Sequence, residues 1–288
     1  MKSNTGHHLS ALTGSMVIFG TIGLFRRFIP LPSEVLACAR GIMGGLFLLL
    51  LLKARGRSFD RQAVRAHWKL LVLSGAMIGF NWILLFEAYN YTTVAIATLC
   101  YYLQPVIVIL LSPLVLGERV SLRKGICVLT ALAGMVLVSG IAGSDGLPSG
   151  DLRGVFLGLG AAVLYAGVVL LNKRIVGVPV YEKTVLQLLS ASLVLLPYMA
   201  AAGTLHAYSL GIGQAAALVT VGIVHTGMAY VLYFGSVEHL PAQTAALFGY
   251  IDPVTAVFLS VILLHEPMSL LTLAGAVLIL GSAAVSEL

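Results

Sequence analysis

Charge is scarce in this chain. Only 10% of its 288 residues are Asp, Glu, Lys or Arg, where a soluble domain carries roughly 25%, so an ordinary water-exposed surface is excluded. Long polar segments are scarce as well. The two longest, "KARGRSFDRQAVRAHWK" and "IAGSDGLPSGD", are too short to hold a soluble catalytic domain, so whatever the chain does it does inside a membrane. Cysteine is limited to Cys38, Cys100 and Cys127. All three fall in apolar runs without metal-ligand spacing and read as small packing residues. Neither H-E-x-x-H nor G-x-S-x-G occurs, histidines do not cluster as a di-metal site would need, and the phosphate-binding G-x-x-x-x-G-K-[ST] is missing. An intramembrane enzyme and an ATP-driven pump are therefore unsupported, and no metal or cofactor is expected.

What the chain has in abundance is apolar sequence, 59% of all residues. A hydrocarbon core about 30 Å thick needs roughly 20 apolar residues per helix. Ten such runs follow one another at 9–28, 34–53, 69–90, 94–116, 121–140, 154–172, 183–201, 212–235, 242–264 and 270–287. The pattern predicts an all-α integral membrane protein with ten transmembrane helices. The first run lacks a small-residue cleavage pattern and is followed by Arg26 and Arg27, which reads as a retained helix and not a signal peptide.

The formal charge of +6 follows topology and gives no reason to expect nucleic acid. With the N-terminus inside, 13 Lys or Arg lie on the inner side, six of them between Lys53 and Lys69, against Arg26, Arg27 and Arg153 outside; Arg40 lies within the second run. Positive residues favour the cytoplasmic face, so both termini are expected in the cytoplasm and the chain in a bacterial-type inner membrane.

Sliding the sequence by 148 residues lays "ATLCYYLQPVIVILLSPLVLGERVSL" over "AALFGYIDPVTAVFLSVILLHEPMSL" with eleven of 26 positions identical. The matches include Tyr102 with Tyr250, Pro105 with Pro253 and Glu118 with Glu266. Each half then holds five helices, residues 1–143 and 144–288. Because five is odd, the second half enters from the opposite side, an inverted-topology repeat. Arg119, Arg123 and Lys124 are replaced at the offset by Pro267, Leu271 and Thr272, as expected if only one of the two matching loops faces the cytoplasm. Gly41 with Gly45, Gly75 with Gly79, and Gly154 with Gly158 are spaced for close helix approach.

Pro105 and Pro253 fall near the middle of the fourth and ninth runs, where proline removes a helical hydrogen bond and crowds the preceding turn. Irregular backbone at mid-depth survives only beside protein or a water-filled cavity. Two such breaks mark a candidate pathway, with Pro105 and Pro253 as hinges. Each is preceded by a polar residue, Gln104 and Asp252. Charge at that depth is costly, so Asp252 reads either as a proton or counter-ion site or as a hydrogen-bonded cap of the broken helix. The polar and aromatic inventory gathers around this pair: Asn81, Trp82, Tyr101, Gln104, His225, Tyr230, Tyr250 and Asp252 are the cavity candidates. Neighbours on a helix point about 100° apart, so only one of Tyr101 and Tyr102 is expected to face it. Phe86 and Tyr233 read as packing. His7 and His8 sit in the N-terminal tail.

The half "FEAYNYTTVAIATLCYYLQPVIVILLSPLVLGERVS" and its partner "YVLYFGSVEHLPAQTAALFGYIDPVTAVFLSVILLHEPMS" resemble the duplicated EamA-type unit of the drug/metabolite transporter superfamily. Its "P…LGE" pattern runs from Pro105 to Glu118 and, with His265 in place of glycine, from Pro253 to Glu266. The chain is also similar to amino-acid exporters of the YddG type, and that resemblance implies export of aromatic and other apolar amino acids by alternating access. The residues themselves agree: helices 3, 4, 8 and 9 offer no interior Lys or Arg to clamp a phosphate, while tyrosine, tryptophan and amides suit a small amphipathic molecule. Export of another metabolite or a drug is the alternative. If flux is proton-coupled, Asp252 and His225 are the expected sites; an uncoupled facilitator fits the sequence equally.

Overall fold

The computed structural model describes residues 2–26, 28–56, 59–91, 97, 100–138, 152–264 and 269–286. Arg27, most of the start of the fourth run, residues 139–151, and His265 with Glu266 lie outside them. Every element among the described residues is helical. In chain order these are α1 (Lys2–Arg26), α2 (Ser33–Ala54), α3 (Arg61–Tyr91), α4 (Gln104–Leu116), α5 (Leu122–Val138), α6 (Leu152–Arg174) and α7 (Val180–Ala201). They are followed by α8 (Ile212–His239), α9 (Ala242–Phe248), α10 (Ile251–Leu264) and α11 (Leu270–Ser286).

Two helices outrun the apolar stretches that announced them. α3 begins two turns before residue 69, inside what reads as a polar loop, because the Asp60 carboxylate accepts the N–H groups of Gln62 and Ala63 at 3.1 and 3.0 Å and caps the helix. α1 begins at Lys2, so His7 and His8 are helical and not tail. Hydropathy marks the buried part of a helix, whereas a cap sets where it starts.

By length and composition, α2, α3, α6, α7 and α8 can each cross a membrane. The burial pattern agrees, because large apolar side chains cover the outside as well as the core. Leu110, Leu114, Leu129, Phe156 and Leu193 each expose about two thirds of their surface or more, while Asn81, Asn172, Lys183, Gln187 and Gln243 are buried. Inside, Gln187 donates to Ser74 Oγ at 2.7 Å and to Asn172 Oδ1 at 3.2 Å, tying α7 to α3 and α6. The chain is a multi-pass membrane protein.

α3 packs against α6 and α7, α2 against α7 and the middle of α8, α1 against α8 and α10, α4 against α6 and α9, and α5 against α11. Glycine allows the closest of these approaches. A Cβ built on Gly75 would stand 2.6 Å from the Gln187 carbonyl oxygen, and one on Gly79 2.7 Å from that of Ala191. Backbone cannot step aside as a flexible side chain can. Gly79→Leu should therefore lower stability by at least the ~1–3 kcal/mol typical of overpacking, read as a drop in the unfolding midpoint in detergent. Gly14→Ala, with open space around its Cβ, should leave the midpoint unchanged or raise it.

The two prolines do not kink continuous helices. The chain turns at Tyr102 and Leu103 before α4, and at Gly249 and Tyr250 before α10, so Pro105 and Pro253 occupy the first turns of new helices. There a missing N–H costs nothing, since those donors have no helical partner. The Tyr250 hydroxyl donates to the Tyr102 carbonyl oxygen at 2.9 Å, so one break supplies the hydrogen bond that the other has lost. The paired breaks expected near mid-span are present, without the energetic penalty expected of them.

Candidate functional site

The second break builds the site. Asp252 lies in the first turn of α10, where the helix dipole favours negative charge, and Tyr102 hydrogen-bonds to its carboxylate. α1 passes close by: a Cβ on Gly20 would come within 2.7 Å of the Asp252 carbonyl oxygen. Asp252 is surrounded by protein yet keeps surface open to two adjoining cavities.

The larger, about 230 Å³, is lined by Phe19, Ile22, Arg40, Asn81, Trp82, Leu85, Phe86, Tyr101, Tyr165, Tyr230 and Asp252. The smaller, about 60 Å³, lies between Met16, Phe19, Tyr101, Tyr102, Gln104, Tyr165, Tyr233, Ala245, Gly249 and Asp252. Aromatic rings hold one another in place around them: Phe19 meets Tyr230 edge-on at 5.4 Å, Tyr165 stacks on Tyr233 at 6.4 Å, and Tyr101 lies 6.1 Å from Tyr165. Such walls offer apolar faces with polar rims. The Arg40 guanidinium stands 4.8 Å over the Trp82 ring, and Tyr230 interacts with both.

At one end of the bundle polar side chains cross-link the helices around a recess of about 430 Å³. Glu118 accepts the Ala242 N–H at 3.1 Å, Gln243 donates to Ser112 Oγ at 3.2 Å, Lys124 donates to Thr244 Oγ1 at 3.2 Å, and Lys173 donates to the Leu240 carbonyl oxygen at 2.6 Å. Lys183 donates to Glu238 at 3.1 Å and to the Ile175 carbonyl oxygen at 3.3 Å. His8 stacks on His239 at 4.2 Å; partial burial and the neighbouring His239 and His7 hold its imidazole below the usual range. A recess of about 820 Å³ lies elsewhere, an apolar cleft between α1 and α8 at the opposite end, beside Phe25, Phe28 and Gln214, with no charged side chain among the described residues that line it.

With this geometry in place, the chain matches the EamA-like transporter family twice, over residues 8–140 and again over 152–287. It belongs to that family. The EamA-like chain is 30% identical to an uncharacterized transporter, YxxF, of Bacillus subtilis (strain 168), across 94% of its own length and 86% of that protein's. It is 27% identical to protein PecM of Dickeya dadantii (strain 3937), covering 89% of this chain and 84% of that one. Protein RarD of Salmonella typhi is likewise 27% identical, over 82% and 79% of the two lengths. A solved crystal structure superposes with a TM-score of 0.85 at 22% identity over 98% of both chains, which shows the fold. The drug/metabolite transporter superfamily membership that the repeat motifs suggest is thus upheld, and the relatives bearing the name transporter mark this EamA-like protein as a membrane transporter.

Of the residues singled out in the sequence, Asn81, Trp82, Tyr101, Gln104, Tyr230 and Asp252 come together around the two cavities. Asn81 divides its duties, since its amide also donates to the Ala161 carbonyl oxygen at 2.7 Å. His225 and Tyr250 do not line either cavity. His225 sits in a π-helical turn of α8, Val221–Met228, 2.6 Å from Thr21 Oγ1 and against Phe25. Tyr250 is fully buried on Tyr102. Both tyrosines of the pair Tyr101 and Tyr102 face the smaller cavity, because the helix breaks between their directions and the 100° rule applies only to an unbroken helix. Phe86 and Tyr233 also line cavities, where packing alone was expected.

The sequence reading noted Arg40 within the second run and Tyr165 as the one aromatic of note in the sixth, but left both, and Phe19, out of the cavity candidates of this family member. Arg40 carried a signal: an ionisable residue inside a membrane run marks a functional site by default. Its presence also corrects the argument from helices 3, 4, 8 and 9, for the cavity does hold a cation, supplied by α2. Asp252 shares that cavity and offsets it, so the site still lacks the clustered positive charge that a phosphate calls for.

Proposed function

We propose that this EamA-like chain is a secondary transporter that exports small neutral amphipathic metabolites, aromatic and other apolar amino acids foremost, by alternating access between two inverted five-helix repeats. The observation that carries the reading is the aromatic-walled cavity of about 230 Å³ beside Asp252, with Asn81 and Tyr230 on its rim. Drug-sized sites run about 300–1,000 Å³, so the volume favours a metabolite of amino-acid size over a drug.

The repeat reading, with halves at 1–143 and 144–288, is supported by the pattern of packing as well as the sequence offset. Exchanging the halves turns the α3–α6 contact into α8–α1, α3–α7 into α8–α2, and α4–α6 into α10–α1, while α2–α7 and α5–α11 map onto themselves. A two-fold relation of this kind is how alternating-access transporters form two mirror-related states. The polar lattice among α4, α5, α6, α8 and α9 cross-links one side of the bundle. The bias of Lys and Arg toward that side supports cytoplasmic termini in an inner membrane, with cargo waiting on release from the opposite side.

The experiment is flux from liposomes containing the purified protein, loaded with labelled phenylalanine, tyrosine, leucine or methionine, with and without an imposed proton gradient. Downhill efflux of at least one of these, competed by the others, is the expected result. No efflux of any of them, alongside efflux of a chemically unrelated cargo, would dismiss the amino-acid reading.

A further inference from the structure

We infer that Arg40 is the carboxylate receptor of the central cavity, so that the cargo is a zwitterion held with its carboxylate on α2 and its ammonium toward Asp252 on α10. This rests on the reading of the cavity as an amino-acid site and adds the residue that recognises the backbone end of the cargo.

Three observations carry it. Arg40 lines the 230 Å³ cavity together with Trp82, Tyr230 and Asp252. Its Nε is buried and lacks a hydrogen-bond partner, and among the described residues no carboxylate lies within ion-pair distance of its guanidinium. A buried charged donor left unsatisfied is expensive, and an arriving carboxylate would relieve that cost. Trp82, 4.8 Å away, covers one face of the guanidinium. Tyr230 hydrogen-bonds to the same guanidinium, which leaves the unpartnered Nε as the donor from which a planar carboxylate would be held, with a neighbouring N–H as the second parallel bond. Lysine could offer charge there but not the flat fork.

The pair of charges also selects. An amine without a carboxylate meets Arg40 as a like charge, and an acid without an amine meets Asp252 as one. Only a molecule carrying both ends finds a partner for each. Between them the aromatic wall accepts the side chain, and the unsatisfied Gln104 Nε2 beside Asp252 offers a further donor at the edge of the smaller cavity.

The test is direct binding of labelled phenylalanine to purified protein in detergent, with phenethylamine and 3-phenylpropionate as competitors, for the wild type, Arg40→Gln and Arg40→Lys. The wild type should bind phenylalanine in preference to either single-charge analogue. Arg40→Gln should weaken phenylalanine at least tenfold while binding phenethylamine as well as before or better, and Arg40→Lys should fall between. An unchanged unfolding midpoint in Arg40→Gln separates this from misfolding; if it unfolds, the Arg40→Lys competition profile decides. Phenylalanine affinity within twofold of wild type in Arg40→Gln, or equal loss for phenethylamine, overturns the inference and leaves the amino-acid reading standing. Failure of the wild type to bind any of phenylalanine, tyrosine, leucine and methionine overturns both.

Discussion

Glu238→Ala should cost the fold about 3 kcal/mol, the lower end of what breaking a buried ion pair costs. The partner explains why. The Lys183 side chain is 0% exposed and Glu238 27% exposed, with the ammonium donating to the carboxylate at 3.1 Å. Without the carboxylate, a fully buried ammonium keeps only the Ile175 carbonyl oxygen at 3.3 Å. Removing the other member is gentler: Lys183→Met keeps most of the buried stem and deletes the charge, and the partly exposed Glu238 retains water and the attraction of Lys173. The double variant should therefore recover most of what Glu238→Ala loses. Unfolding midpoints of the three variants in one detergent check this. Equal losses for the two single variants would mean that the pair contributes by packing and not by charge. Because Lys183 and Glu238 join α7 to the end of α8 on the side of the polar lattice, the same substitutions should also raise passive leak through that side.

Asp252→Asn should cut phenylalanine flux roughly ten- to a hundredfold, the range expected when a charge-assisted hydrogen bond worth about 1.5–3 kcal/mol is lost. Asparagine keeps the size of the side chain, the first-turn position on α10 and an acceptor for Tyr102, so the fold should be little disturbed. What it lacks is the charge that faces the cavity. Gln104 occupies the corresponding place in the first half, at the start of α4, and borders only the smaller cavity; Gln104→Ala should reduce flux by less than threefold. The comparison is made by initial efflux rates from liposomes at matched protein density. If Gln104→Ala proves as damaging as Asp252→Asn, the two halves share the load and the charge of Asp252 is not what binds the ammonium.

These two residues show how far the sequence could be read. The offset of 148 residues placed Gln104 and Asp252 in matching surroundings, and each does stand at the start of a helix after a break. Their different exposure to the cavities was hidden, because it depends on which neighbour supplies the facing wall. α1 presses Gly20 against the Asp252 backbone, and nothing in the local pattern around Asp252 names α1 as its neighbour. Arg40 is the same case from the other side. Its position inside an apolar run was visible, but that it shares a cavity with Asp252, some two hundred residues away in the chain, was not.

The sequence by itself determined the solvent, the elements and the family. Continuous apolar runs of about 20 residues cross a bilayer as helices, whose backbone groups are satisfied within the segment, whereas barrel strands are shorter and alternate. The duplicated proline and glutamate spacing survives as a linear signal because each half solves the same local packing problem. Tertiary structure decided which side chains meet. It drew His225 away to Thr21, sealed Tyr250 against Tyr102, and brought Arg40, Trp82, Tyr230 and Asp252 around one space. A cavity is bounded by residues from several helices, and the direction each presents is fixed by helix rotation, close glycine contacts and breaks, which are properties of the packed bundle and not of any one segment.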